Sequence, residues 1–147
     1  MWLYNSTPIR SIVDLPNPDL LFGFIYKITN NTTGSIYIGK KQFYSKRKRQ
    51  LPKKELSADK RKKRYQQVTK ESNWLTYWSS SRELQEDVTQ LGEQAFTREI
   101  IDLACSPKYL SYLELKYLML YDVLTISSYN GNIAGKYYIR DMQSKCF

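Results

Sequence analysis

Not one of the 147 residues is a histidine. That removes a histidine metal site, a Ser-His triad and a histidine general base together. Cysteine occurs only as Cys105 and Cys146, with no metal-ligand spacing. The opening residues MWLYNSTPIR lack the basic-then-apolar layout of a secretion signal. The thiols are therefore expected to be reduced, in a cytoplasm. No apolar run reaches membrane-spanning length, so no membrane partner is expected. Glycine is scarce, and three of its six copies fall within Phe22–Lys41. Acidic residues are scarce where it matters most. Between Lys40 and Arg64 only Glu55 and Asp59 face 13 Lys/Arg, a net +11, while the rest of the chain sums to −2. A compact basic block beside a folded element points to a polyanion, nucleic acid first. No amphipathic apolar face accompanies it to suggest a membrane surface instead.

What is present begins with FGFIYKITNNTTGSIYIGKK. Two β-prone runs, Phe24–Thr29 and Ser35–Gly39, flank an Asn/Gly loop, which is a hairpin signal. Alternation puts Phe24, Tyr26 and Ile28 on one face of the first strand. Tyr37 and Gly39 share a face of the second, where the glycine would admit a close neighbour. A hydrophobic fraction of 41% over 147 residues fits one globular domain.

Residues 1–20 hold Pro8, Pro16 and Pro18 and show no period, which reads as an irregular arm before a single domain over 21–147. Tyr44, Arg47 and Lys48 fall at helical spacing, so Lys41–Gln50 reads as a short basic helix ended by Pro52. A basic insertion spans about 46–70, of which Lys53–Lys70 reads as a solvated helix or a partly disordered segment that orders on a ligand. Asn73–Trp78 returns to aromatic composition and rejoins the core. Ser80 with Glu83 forms a capping box for a helix ending at Gly92. Phe96–Ala104 reads as a third strand, and Ser106-Pro107 starts a helix running to about Asp122. The fold class is α+β: a small three-stranded antiparallel sheet flanked by helices.

In that last helix Glu114 shares its face with Leu110, Tyr117, Leu118 and Tyr121. A carboxylate in an apolar stripe is costly to bury unpaired. Either it snorkels to water, or it points at a cation, a metal or a basic side chain.

At this point the chain resembles the GIY-YIG nuclease family, over about Phe22 to Gly135, in its free-standing phage or homing-type branch. The first motif stands as Phe24-Ile25-Tyr26 and the second as Tyr37-Ile38-Gly39. Arg47 matches an arginine ten residues past the second tyrosine, with Lys40 after the glycine. Glu114, three residues before Tyr117, matches the acidic metal ligand, and Tyr129-Asn130 matches a late asparagine. Two positions depart. Phe24 stands where glycine is usual, beside Gly23. Leu51 stands where many members carry His or Tyr, a role open to Tyr65 or Tyr77.

The resemblance implies a metal-dependent DNA endonuclease. Glu114 would hold one Mg²⁺ or Mn²⁺, and Arg47 would relieve transition-state charge. Tyr26 or Tyr37 would handle the attacking water. Lys40 and Arg47 would favour the phenolate and give an alkaline optimum, and Asn130 would orient the site. Phosphates of double-stranded or branched DNA would be gripped by Lys41, Lys46, Lys48, Arg49, Lys53, Lys54, Arg61, Lys62, Lys63 and Arg64. One site nicks one strand, so double-strand cleavage would take a homodimer or two passes. The competing readings are a non-catalytic nucleic-acid-binding protein on this scaffold, and a structure-selective or restriction nuclease.

Overall fold

The computed structural model describes residues 1–50 and 65–143, with the backbone alone for 47–50 and 65–68. Its centre is the hairpin of β3 (Gly23–Asn30) and β4 (Ile36–Gln42), in the register Tyr26↔Gly39 and Ile28↔Tyr37. Strand β7 (Phe96–Ala104) pairs antiparallel on the other side of β3, with a register shift between Ile25 and Tyr26.

The sheet is wider than three strands. Trp2–Tyr4 (β1) lies parallel to β7 and antiparallel to β2 (Thr7–Ile9), giving the order β2-β1-β7-β3-β4. Residues expected to form an irregular arm thus extend the sheet and make it mixed. Asn5 and Ser6, both at positive φ, supply the two-residue turn that suits a tight hairpin. Pro8 fits because β2 is an edge strand.

The expected basic helix over 41–50 is also a strand. β5 (Tyr44–Gln50) follows β4 with only Phe43 between, and pairs as a separate two-stranded ribbon with β6 (Tyr65–Glu71). Two forces select this. Phe43 is fully buried, 4.9 Å from Phe24 and 5.0 Å from Trp74 between ring centroids, and anchors the chain in extended form. In a helix Lys46 and Arg49 would also share a face at i, i+3 and repel. The far end of the basic insertion, with Lys53, Lys54, Arg61, Lys62, Lys63, Arg64 and Leu51, lies outside the described residues.

Each face of the sheet carries its own core. Trp2, Phe24, Tyr26, Ile28, Trp74 and Leu84 pack on one face, under the 74–81 loop and α1 (Arg82–Leu91). Ile25, Ile36, Ile38, Leu110, Leu113 and Leu118 pack on the other, under α2 (Pro107–Leu120). The N-cap of α1 is Ser81, which accepts from Leu84 N at 3.3 Å, one residue later than the expected Ser80. Helix α2 is capped by Ser106 with Pro107 first, as expected, and ends two residues short of Asp122. Short strands β8 (Asn132–Ile133) and β9 (Tyr137–Tyr138) close the fold. Among the described residues no helix is long and apolar enough to cross a membrane.

Candidate active site

Tyr26 and Tyr37 project from the same face of the hairpin, rings stacked at 6.0 Å and 28°. The glycine between them is a steric necessity. A Cβ at Gly39 would fall 2.5 Å from the Tyr26 hydroxyl and 2.9 Å from the Tyr37 ring. The 74–81 loop completes the cluster. Tyr77 stands edge-on to Tyr26 at 6.0 Å and 87°, Lys41 Nζ sits 4.1 Å over the Tyr77 ring, and Ser80 Oγ is 3.2 Å from Tyr37 Oη. Ser81 rather than Ser80 caps α1, and the Ser80 hydroxyl makes this contact instead.

Burial governs both phenols. Tyr26 is 1% exposed, and burial, with Tyr37 and Tyr77 adding, drives its hydroxyl far above the ordinary tyrosine range. Tyr37 is also raised by burial, with the Ser80 hydrogen bond pulling the other way. The expected depression by Lys40 does not occur, because Lys40 leaves β4 on the opposite face, with Ile36 and Ile38.

There it meets α2. Lys40 Nζ donates to Ser111 Oγ at 3.1 Å and lies 3.9 Å from Glu114 Oε1. Of the two routes open to Glu114, the helix takes the one that points it at a basic side chain. Burial raises the Glu114 carboxyl above its usual value, and Lys40 opposes that rise. Tyr117 turns elsewhere, donating to Asp102 Oδ2 at 2.7 Å.

Asn130 is 7% exposed and fully committed. Its Oδ1 accepts from Ile38 N at 2.9 Å and its Nδ2 donates to Ile38 O at 2.8 Å. Together with Tyr129 N, which donates to Ile36 O at 2.8 Å, it seals the outer edge of β4. Antiparallel alternation then turns the N–H and C=O of Lys40 outward next, and among the described residues they have no partner there. The edge opens at Lys40.

A cleft of about 240 Å³ lies along this edge, lined by Tyr37, Ile38, Glu114, Asn130 and Asn132 among others. A second, of about 280 Å³, is lined by Lys40, Lys41, Tyr44, Ser45, Ser72 and Ser111 among others. Thus Tyr37 from one face and Glu114 from the other reach the same cleft, with Lys40 beside it.

Of the residues expected from sequence, Tyr26, Tyr37, Lys40, Glu114 and Asn130 converge on β4. Arg47 lies on β5 opposite Val68, and Lys48 and Arg49 follow on the same strand. Lys46 is exposed there, while Lys41 turns back onto Tyr77. Ser80 and Ser111 were not expected. Helical spacing alone places Ser111 one turn before Glu114, but Ser80 reaches Tyr37 only through the loop's path.

A divalent cation fits Glu114 in one specific sense. Among the described residues its carboxylate accepts no hydrogen bond, and no group of three or more His, Cys, Asp or Glu gathers to form a closed cage. One hard oxygen donor facing a cleft, held only by a long 3.9 Å ion pair with Lys40, suits a cation that keeps most of its waters.

Phenol and carboxylate line one cleft at an open sheet edge of this small α+β domain, with the Lys40 ammonium and a basic ribbon beside it. The chain belongs to the GIY-YIG endonuclease family. A family model described as "Putative endonuclease segE, GIY-YIG domain" matches residues 2–141, so the match takes in β1 and β2 as well as the motifs. No curated protein and no solved structure matches the chain significantly.

Proposed function

We propose that the protein is a metal-dependent DNA endonuclease that hydrolyses one phosphodiester bond per visit, at the β4 edge. The observation carrying this reading is that Tyr37 and Glu114, from opposite faces of the sheet, line one cleft beside the Lys40 ammonium. Glu114 would hold the cation, Mg²⁺ or Mn²⁺, which when bound supplies charge relief on the phosphate and leaving oxygen.

The remaining work falls to the chain's own side chains. Tyr37 lines the cleft and, in its phenolate form, takes the proton of the attacking water. Tyr26, buried and held neutral, sets the Tyr37 ring by stacking. Ser80 orients the Tyr37 hydroxyl. Lys40 offers a positive charge beside the scissile phosphate, and Arg47 supplies a second, forked one. Asn130 holds the edge in shape. The basic ribbon grips backbone phosphates, giving affinity and salt dependence without sequence choice. One site per chain nicks one strand, as in a free-standing phage or homing-type nuclease, and a double-strand break takes two copies or two passes.

The test is incubation with supercoiled plasmid and Mg²⁺ or Mn²⁺, beside Glu114→Ala. Metal-dependent conversion to the open circle by the parent alone is the expected result. Plasmid binding with no cutting at any metal or pH would leave a non-catalytic DNA-binding protein instead.

A further inference from the structure

We propose that Ser111 is a positioning residue that holds the Lys40 ammonium back from Glu114 and so keeps that carboxylate open to a divalent cation. The proposal rests on the metal-binding role given to Glu114 above and assigns a function to its neighbour one turn earlier.

Ser111 and Glu114 stand three residues apart on α2, so hydroxyl and carboxylate share one helix face. Lys40 enters that face from β4. Its ammonium donates to the hydroxyl at 3.1 Å but stays 3.9 Å from the carboxylate. An unopposed ammonium–carboxylate contact closes to about 2.7–2.9 Å. The stretch to 3.9 Å therefore places the ammonium nearer the serine than its own counter-ion. Among the described residues Lys40 is the one cation within salt-bridge distance of Glu114.

Without the hydroxyl, the carboxylate is the acceptor left to that ammonium. A closed Lys40–Glu114 pair would occupy the carboxylate's open side, and an incoming cation would have to displace it against a Coulomb attraction that grows as the pair shortens. With the hydroxyl, Lys40 stays beside the cleft while Glu114 remains free. Ser111 is exposed, so removing its hydroxyl leaves both cores intact.

The experiment titrates the full-length protein, without DNA, with Mn²⁺ alone, reading bound metal by water-proton relaxation and checking each variant's folding by thermal melt. The parent is expected to bind one Mn²⁺. Ser111→Ala should bind it about tenfold more weakly, a difference of about 1.4 kcal/mol. Ser111→Thr, which keeps the hydroxyl, should stay within about twofold of the parent on the same scale. Lys40→Met/Ser111→Ala should recover parental affinity or better, because the serine acts only through the lysine. An unchanged Ser111→Ala, or a double variant as weak as the single, overturns the role of Ser111 and leaves the metal reading standing. Parental Mn²⁺ affinity in Glu114→Ala, or no binding by the parent, overturns both.

Discussion

Tyr37 is the phenol of the stacked pair that reaches the cleft shared with Glu114, and its acidity follows from two opposed contacts. Burial raises it and the Ser80 hydrogen bond lowers it. The cleavage rate is therefore expected to climb through the alkaline range. In Ser80→Ala the climb should shift to higher pH, because the lowering contact is gone; coincident pH–rate profiles would remove Ser80 from the mechanism. Glu114 makes the opposite compromise between stability and function. Its carboxyl is raised on folding, so between the unfolded and folded values the native chain holds more protons than the unfolded one. Stability then falls as pH rises through that window, and the charged form stays a burden at neutral pH, eased by Lys40. Glu114→Gln is accordingly expected to raise Tm at neutral pH by about 1–2 °C while abolishing nicking, a trade seen where active sites hold strained charge. Melting curves and plasmid assays on one preparation check both halves.

At the scale of elements, the candidate site lies along β4, an edge strand sealed over only part of its length. Asn130→Ala would leave the Ile38 N–H and C=O without partners at a buried position, costing about 2 kcal/mol. Denaturant unfolding should show that loss, and nicking should fall with it because the edge that carries Tyr37 loosens. Gly39→Ala presses a Cβ into the Tyr26 ring, with an expected cost of about 1–3 kcal/mol and displacement of the stacked pair. The β5–β6 ribbon is separable in effect. Replacing Lys46, Lys48 and Arg49 with Gln should weaken binding to all DNA sequences alike. It should also reduce the slope of log affinity against log salt by up to about 3. Filter binding across a salt series measures that slope, and an unchanged value would remove the ribbon from the interface.

Over the whole molecule, the N-terminal strands tie the sheet to the loop that serves the site. Trp2 is fully buried, donates from Nε1 to Trp74 O at 2.7 Å, and has the Arg98 guanidinium 4.6 Å over its ring. The same guanidinium lies 4.3 Å over the Trp78 ring, and Arg98 donates to Tyr77 O at 2.8 Å. Two carbonyls of the loop that bears Tyr77 and Ser80 are thus held from β1 and β7. Trp2→Ala is expected to cost about 3–5 kcal/mol and to release that loop, so thermal stability and cleavage should drop together. A stable variant with parental activity would show that the arm is dispensable.

Local pattern alone determined much of this protein. The β3–β4 hairpin, the Ser106-Pro107 start of α2 and the glycine stop of α1 rest on interactions within a few residues, and the third strand at Phe96–Ala104 shows itself by composition, so a sequence displays all four directly. Strand alternation put Tyr26 on one face of its strand and Tyr37 with Gly39 on one face of the next, and helical spacing put Glu114 in an apolar stripe, whereas Lys40 and Asn130 were marked only by the family's motifs. Tertiary structure decided the rest. Three-residue strands such as β1 and β2 carry too little period to read; β1 gains its form by pairing with β7, 96 residues away in each pair from Trp2↔Arg98 to Tyr4↔Ile100, and β2 by pairing with β1. The basic segment after β4 had helical spacing, yet burial of Phe43 and pairing with β6 made it a strand. The acidity of the tyrosines was set by packing under the 74–81 loop, and the partner of Glu114 by a lysine on another element. Those are long-range contacts, and no local rule encodes them.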